Sequence, residues 1–389
     1  MKFKVAKRDL ESALQVVGAS LSSSGNDIST HLVFRRMDPP EGSDEYGIEV
    51  LTFSGRIFSS CPLIASVEEA GDKGAFTIEG KRLKQWLAHS GDGALTFTLD
   101  EGEVTAKASR GRQTFRSLDP SSFPYWDKTL EEAEVTATVE ATRVSAALAY
   151  AKSFASDQES SHPQLCVCEV QKGILWSSDK KAITLVRLEE FADSKLRVHV
   201  KDTNGFLSFL NTFDGTKVEV LEHDRALIFR RGDGAVFGEA RFQTAFPTHN
   251  VGMDDKDAHT WTLPKDEVNE AIGFLVSGAA WEDNRLRIKP SKADDEVILS
   301  MSSVTGKVTE LTLNTVSTAS ADGEDVLEVP DTGFEIDYHC LNKVLSSWPD
   351  ENVSFGINPM MTRKGLRGFV RFVREDGADK YLTIVAWLH

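Results

Sequence analysis

One pattern of apolar and polar positions recurs six times along the chain. A short strand ends in an apolar residue, four residues follow, and apolar positions then fall at the i, i+3, i+4 spacing of one helix face. The first copy, KFKVAKRDLESAL, places Val5, Leu10, Ala13 and Leu14 in this way. FTIEGKRLKQWL repeats it with Ile78, Leu83, Trp86 and Leu87, and TATVEATRVSAAL with Val139, Val144, Ala147 and Leu148. TWTLPKDEVNEAI follows with Leu263, Val268, Ala271 and Ile272, and FEIDYHCLNKVL with Ile336, Leu341, Val344 and Leu345. VHVKDTNGFLSFL needs one inserted residue to bring Val200 into line with Phe206, Phe209 and Leu210. A single stripe buries a single face, so helices lying on sheets are predicted over 7–20, 80–90, 141–155, 201–213, 264–277 and 337–348.

Behind each helix come alternating runs such as ALTFTL, EVTAKA, KVEVLE, ALIFRR, RLRIKP and VILSMS, broken by the turn pieces DEGE and GDG. These read as antiparallel strands. The repeating unit is therefore strand, helix and about three strands, and two units make a domain of roughly 130 residues, an ordinary domain size. Phe123-Pro124 and Phe246-Pro247 each end a second unit and precede a polar stretch, DKTLEEAE or GMDDKDAH. Three domains follow, 1–132, 133–256 and 257–389, in an α+β class of doubled β-α-β-β-β units.

Composition narrows the function. The 389 residues are 40% hydrophobic and 27% charged, which suits packed cores rather than disorder. A net charge of -16 argues against a protein that grips nucleic acid by bulk neutralisation, without excluding a locally basic surface. The opening MKFKVAKRDLES is charged where a signal peptide is apolar, and no run reaches the roughly 18 apolar residues of a membrane span. A soluble, cytoplasmic protein without membrane partners is expected. Cys61, Cys166, Cys168 and Cys340 show neither disulfide-framework nor zinc spacing and are expected to pack.

Catalytic signatures are weak. Ser177-Ser178-Asp179-Lys180 fits a Ser-x-x-Lys pattern, but ILWSSDKKAITLV reads as strand, turn and strand instead of the opening of a helix. Gly232-Asp233-Gly234 reads as a hairpin turn, and the nine histidines are scattered. No enzyme activity, cofactor or metal is expected. The helix faces turned away from the sheets say more. Their outward rows are Arg8, Ser12, Gln15; Lys81, Gln85, Ala88; Thr142, Ala146, Ala149; Asn204, Ser208, Asn211; Asp266, Glu270, Gly273; and His339, Lys343, Ser346. Only the fifth row carries acids. The six helical segments hold ten basic and seven acidic residues, so the negative charge of the chain lies elsewhere.

This organisation resembles the bacterial-type DNA polymerase III beta subunit, the sliding clamp. Local matches are MKFKVAKRDLESALQVVGASL, FRSLDPSSFPYWD, FQTAFPTHN and the C-terminal KYLTIVAWLH, in order along the whole chain. The resemblance implies three tandem DNA-clamp domains and a head-to-tail homodimeric ring, with helices inside and antiparallel sheets outside. Duplex DNA would be encircled without regard to sequence, and the replicative DNA polymerase and a clamp loader would be partners. It implies DNA-channel roles for Arg8, Lys81, Arg82, Lys84, Arg143, Lys152, Gln158, Lys201 and Lys343. It places Phe115 and Trp281 at the dimer joint, and a partner-peptide pocket at Ser178, Lys181, Ala182, Ile183, Phe246, Pro247, Thr383 and Val385.

The chain also departs from the family. Where relatives commonly carry Thr-Asp-Gly-His-Arg-Leu, it reads Ser178-Asp179-Lys180-Lys181-Ala182-Ile183, and it ends Val385-Ala386-Trp387-Leu388-His389. SSSGND lacks the basic contact that relatives often place there. A divergent clamp, such as one encoded by a bacteriophage, would look like this, and its partner motif would differ. The alternative is a non-enzymatic scaffolding protein built on the same fold. A hydrolase using Ser177 and Lys180 would need a deep pocket at the SSDKK turn.

Overall fold

The computed structural model describes residues 1–22, 27–37, 47–69, 74–192, 196–213, 215–241, 246, 253, 257, 259–279, 284–291, 293, 295–302, 305–320, 333–362, 365–376 and 379–386. Residues 38–46 of the acidic stretch MDPPEGSDEYG, most of SSSGND, Pro247, Trp281 and Trp387 to His389 lie outside the described residues. Two compact units emerge, Met1–Leu148 with Leu196–Gln243, and Ala149–Lys195 with Thr244–His389.

Each of the six repeats forms its helix. The first two repeats contain β1 (Lys2–Ala6), α1 (Lys7–Val17), β2 (His31–Met37), β3 (Gly47–Phe53), β4 (Ile57–Leu63), β5 (Ala65–Glu69), β6 (Ala75–Glu79), α2 (Gly80–His89), β7 (Ala94–Asp100), β8 (Glu103–Ala108) and β9 (Gly111–Arg116). A short helix, α3 (Asp127–Glu132), precedes the next pair of repeats. That pair contains β10 (Glu134–Glu140), α4 (Ala141–Lys152), β11 (Val167–Gln171), β12 (Ile174–Ser178), β13 (Ala182–Arg187), β14 (Arg197–His199), α5 (Thr203–Asn211), β15 (Lys217–Glu222), β16 (Ala226–Arg231) and β17 (Val236–Ala240). The last pair contains β18 (His259–Pro264), α6 (Lys265–Gly278), β19 (Arg285–Pro290), β20 (Glu296–Ser302), β21 (Val308–Asn314), β22 (Ser317–Ser320), β23 (Phe334–Asp337), α7 (Tyr338–Ser347), β24 (Asn352–Thr362), β25 (Gly365–Asp376) and β26 (Asp379–Ala386).

In the first unit, a five-stranded sheet runs β5-β1-β7-β8-β9 and an eight-stranded sheet runs β10-β15-β16-β17-β4-β3-β2-β6. The second sheet passes straight across the 132/133 cut, because β17 pairs antiparallel with β4, Val236 facing Ser60 and Glu239 facing Ile57. In the second unit, β11-β12-β13-β26-β25-β24-β18-β22 lie side by side, and β21-β20-β19-β23 form a four-stranded sheet. Here β13 pairs with β26, Ala182 facing Val385, and so links segments on either side of the 256/257 cut. Main-chain hydrogen bonding therefore continues through positions where the repeat count changes domain.

The stripes read from the sequence are the faces that pack. Leu10, Ala13 and Leu14 are buried, as are Leu83 and Leu87, and Val144, Ala147 and Leu148. So are Phe206, Phe209 and Leu210, Val268, Ala271 and Ile272, and Leu341, Val344 and Leu345, while Trp86 is half-buried. Beneath α1 and α2, Phe3, Phe34, Phe76 and Phe97 form a fully buried ring cluster, with centroids of Phe3 and Phe97 5.2 Å apart. Phe206, Phe209, Phe229 and Phe237 repeat this arrangement beneath α5. The inserted residue in that copy accompanies a close approach. A Cβ on Gly205 would stand 2.9 Å from the Cβ of Ala19, so a side chain there would push α5 off the segment that follows α1.

The stretch DKTLEEAE holds a helix where the sequence shows only a polar connection. Leu130 and Ala133 pack on the cluster of Phe58, Leu221, Ala226, Ile228 and Val236, and Trp126 stacks on Phe58 at 4.2 Å. Arg35 fixes the start of α3 by pairing with Asp127 at 2.6 Å while also holding Glu49 at 2.6 Å. Asp127 in the first turn complements the helix dipole.

Candidate nucleic-acid face and partner site

The outward rows follow from the buried ones. Arg8, Lys81, Asn204, Asp266, Glu270 and His339 are exposed, and Ser208 and Lys343 are half-buried. A helix that commits one stripe to a sheet leaves the opposite row to solvent, and these residues occupy it.

Charge along these faces is uneven. Arg8, Lys81 and Lys84 are exposed and make no ion pair among the described residues. Lys84 also reaches Gly18 at the end of α1, where a Cβ would stand 2.9 Å from its Nζ, placing an ammonium near the negative end of a helix dipole. Arg82 is exposed and pairs with Glu79 at 2.8 Å. Lys201 and Gln158 are exposed, and Gln158 Oε1 accepts from Ser161 Oγ at 3.4 Å. Arg143 and Lys152 are half-buried. Against them, α6 exposes Asp266, Glu267 and Glu270. Taken one by one, these helix faces differ in sign, and none offers a dense array of phosphate contacts.

Lys343 behaves differently from the other helix cations. Its Nζ lies 2.5 Å from Asp179 Oδ2, in the turn between β12 and β13. Asp179 Oδ1 accepts the main-chain N–H groups of Lys181 and Ala182, each at 3.0 Å. Lys181 Nζ in turn meets Asp337 Oδ2 at 2.5 Å. Asp337 is buried at the start of α7, where Oδ1 caps the helix by accepting from His339 N at 3.0 Å and Oδ2 accepts from Asn284 Nδ2 at 2.9 Å. The hydrogen bond to Asp337 holds the Lys181 ammonium above its ordinary pKa, with the Asp337 charge adding to the effect. Two ion pairs thus tie one turn to one helix.

Several residues that the resemblance assigns to a peptide pocket lie on or beside that turn. The β13–β26 register brings Ala182 opposite Val385 and Thr184 opposite Thr383. Ser178, Ala182, Phe246, Thr383 and Val385 are buried, Ile183 is half-buried and Lys181 is exposed. Thr383 Oγ1 bonds to Tyr150 at 2.8 Å and to Thr184 at 2.9 Å. Burial pushes the Tyr150 hydroxyl up to about 12, so it stays protonated and available as a donor. Phe115, on β9, is buried against Trp86 in an edge-on contact at 6.3 Å.

Ser177 does not meet Lys180. Its buried hydroxyl donates to Ala151 O at 2.6 Å, while Lys180 is exposed at the turn. Among the described residues no group of His, Cys, Asp and Glu could hold a metal ion, and no helix is long and apolar enough to cross a membrane.

The residues missed by sequence reading are Asp179, Asn284 and Asp337. Their signal was faint. Asp179 stood in the SSDKK turn, and Asp337 directly before a predicted helix, where an aspartate is a favoured cap. The ion pairs joining segments more than 150 positions apart had no sequence signal.

No family profile matches the sequence, and a search of curated proteins finds no match. Solved structures do match. The chain is similar to the DNA polymerase III subunit beta from Pseudomonas aeruginosa, with a TM-score of 0.77, 14% identity and full coverage of both chains. It is similar to the DNA polymerase III beta subunit from Thermotoga maritima, with a TM-score of 0.79, 12% identity and coverage of 100% and 99%. The DNA polymerase sliding clamp from Bacillus subtilis gives 0.78 and 13% with the same coverage. At these identities the likeness is one of fold, and it extends from end to end.

Proposed function

We propose that this chain is a DNA sliding clamp, a non-catalytic accessory subunit that encircles duplex DNA and tethers a replicative polymerase. The observation that carries the reading is the full-length fold likeness to bacterial DNA polymerase III beta subunits, at TM-scores of 0.76 to 0.79. Three domains divided near 132 and 256 accord with the six repeats. The exposed cations of α1 and α2 supply weak attraction to phosphate, and a mobile tether must avoid tight contacts.

Ring closure is proposed to join the free edges of two copies head to tail. β9 ends the five-stranded sheet and β21 ends the four-stranded sheet, each with one side of its ladder unpaired. Phe115 lies on the first of these edges, and Trp281 is assigned to the joint by resemblance. The partner site is proposed at the β13–β26 junction, around Ser178, Lys181, Ala182, Ile183, Thr383 and Val385, to which the resemblance adds Phe246 and Pro247. A clamp loader and the polymerase would use it, in the cytoplasm of a bacterial or infected cell.

The test has two parts on one sample. Light scattering should give a solution mass near twice 42.9 kDa. After loading on nicked circular DNA the protein should stay bound while the circle is intact and leave when it is linearised. A monomer with no topology-dependent retention would replace the clamp reading with that of a scaffold.

A further inference from the structure

Asp179 divides its two oxygens between two tasks. Oδ1 closes the β12–β13 turn by accepting from Lys181 N and Ala182 N, and Oδ2 holds Lys343 Nζ, on the outward row of α7. The turn is under backbone tension, since Lys180 sits at φ = +79°, a region that residues with a side chain seldom adopt. Further bonds pin it: Lys180 N donates to Ser178 Oγ at 3.2 Å, and Ser178 Oγ donates to Ala182 O at 2.9 Å. Lys181, the next residue, is tied to the buried cap of the same helix through Asp337. α7 therefore grips the turn at its first residues and again at Lys343, about 9 Å further along the helix axis.

We infer that Lys343 is a switch between DNA and the partner site: a phosphate that draws its ammonium away from Asp179 loosens the β12–β13 turn and frees Lys181, Ala182 and Ile183 to adapt to a peptide. This rests on the clamp reading. Lys343 keeps enough exposure, 40% of its side chain, for an anion to compete with Asp179, whose own side chain is 14% exposed. The competition is between two anions for one cation, so no covalent change or cofactor is involved. Coupling must run both ways. A peptide that displaces the Asp179 carboxylate releases Lys343 to phosphate, so partner binding strengthens the hold on DNA by the same factor. Lys343 thus acts conditionally, unlike Arg8, Lys81 and Lys84, which are exposed and make no ion pair among the described residues.

The test reads amide hydrogen exchange at Lys181 and Ala182, in the free protein and in protein loaded on nicked circular DNA. In the wild type, DNA should speed exchange at both amides about two- to five-fold, the range for losing one partly exposed ion pair. In Lys343→Gln the amides should already exchange faster without DNA, and loading should add nothing. Asp179→Asn, which keeps Oδ1 as an acceptor but weakens the ion pair, should behave like Lys343→Gln. Retention on the circle with unchanged wild-type amides, or a Lys343→Gln response equal to the wild type, would overturn the inference and leave the clamp reading standing. Failure of the wild type to be retained on the circle would overturn both.

Discussion

Lys180 occupies a backbone conformation that costs a residue with a Cβ about 1–2 kcal/mol, and the hydrogen bonds of Ser178 and Asp179 hold it there. Lys180→Gly should remove that strain. Part of the gain is lost to the greater freedom of glycine in the unfolded chain, leaving a net stabilisation of about 0.5–1 kcal/mol. A urea unfolding curve should move to a higher midpoint, and an unchanged or lower one would show that the turn is not strained. Left-handed turns were legible where glycine marks them, as at Glu101-Gly102 in the DEGE piece, where both residues have positive φ. At Lys180 the sequence offers a lysine, and nothing local to a lysine signals a positive φ. The turn itself was legible in ILWSSDKKAITLV as a break between two strands, but its left-handed residue was not.

At the scale of elements, the seam between β17 and β4 contains two buried carboxyl groups and one cation. Arg56 Nε pairs with Asp202 Oδ2 at 2.5 Å, and Glu239, 3% exposed, accepts from His199 N at 3.0 Å. Burial first, and then the neighbouring Asp202 charge, push the Glu239 carboxyl up to about 8, against the smaller opposing effects of the His199 N–H and Arg56. Native Glu239 therefore keeps its proton at pH 7, whereas the unfolded chain loses it near the ordinary value of 4.5. Between those values the native state binds more protons than the unfolded state. Stability consequently falls as pH rises from about 4.5 towards 8, by about 1.4 kcal/mol per pH unit from this group, and the fall levels off above 8. Glu239→Gln should match the wild type near pH 5, exceed it at pH 8 and lack this slope. Parallel wild-type and variant stability profiles between pH 5 and 8 would show that Glu239 is ionised in the native protein.

The elements themselves were legible to different degrees, for physical reasons. Six helices announced themselves because each buries a stripe three or four residues apart, and Trp86, the one half-buried stripe residue, still meets Phe97 and Phe115 edge-on. The helix α3 did not, because six residues with Leu130 as their one large apolar side chain make no period. It is stabilised instead by tertiary contacts of Trp126 and Leu130 and by Arg35. The pairing of β17 with β4 was likewise invisible, since alternation along a strand fixes its faces and not its neighbour. The candidate site divided in the same way. Exposed cations on the helices could be read from spacing, but the bond from Lys343 to Asp179 depends on tertiary placement.

For the whole molecule, the proposed clamp needs a ring whose number of chains the repeats leave open, so the deciding surfaces are the unpaired sheet edges. The edge at β21 is apolar beyond what a free strand tolerates. Leu311 and Leu313 are only half-buried beneath α6, and Phe274 and Val308 are 58% and 54% exposed. On β9, Arg112, Gln113 and Thr114 are exposed while Phe115 is already buried within the chain, so this edge offers polar side chains and its unpaired main chain. If β9 of one copy adds to β21 of another, Phe274 loses its water at the joint, and an aspartate in its place would bury a charge without a partner. Phe274→Asp should raise the dimer dissociation constant about 100-fold, the size of a central anchor residue. It should leave the fold intact, because the wild-type ring already stands in solvent within the single chain. Light scattering across a dilution series would then move from a mass near twice 42.9 kDa towards 42.9 kDa at concentrations where the wild type stays paired. The same variant should slip from intact circular DNA, because a clamp held by topology fails once its ring opens. A variant that remains dimeric and is retained on the circle would move the joint away from α6 and β21.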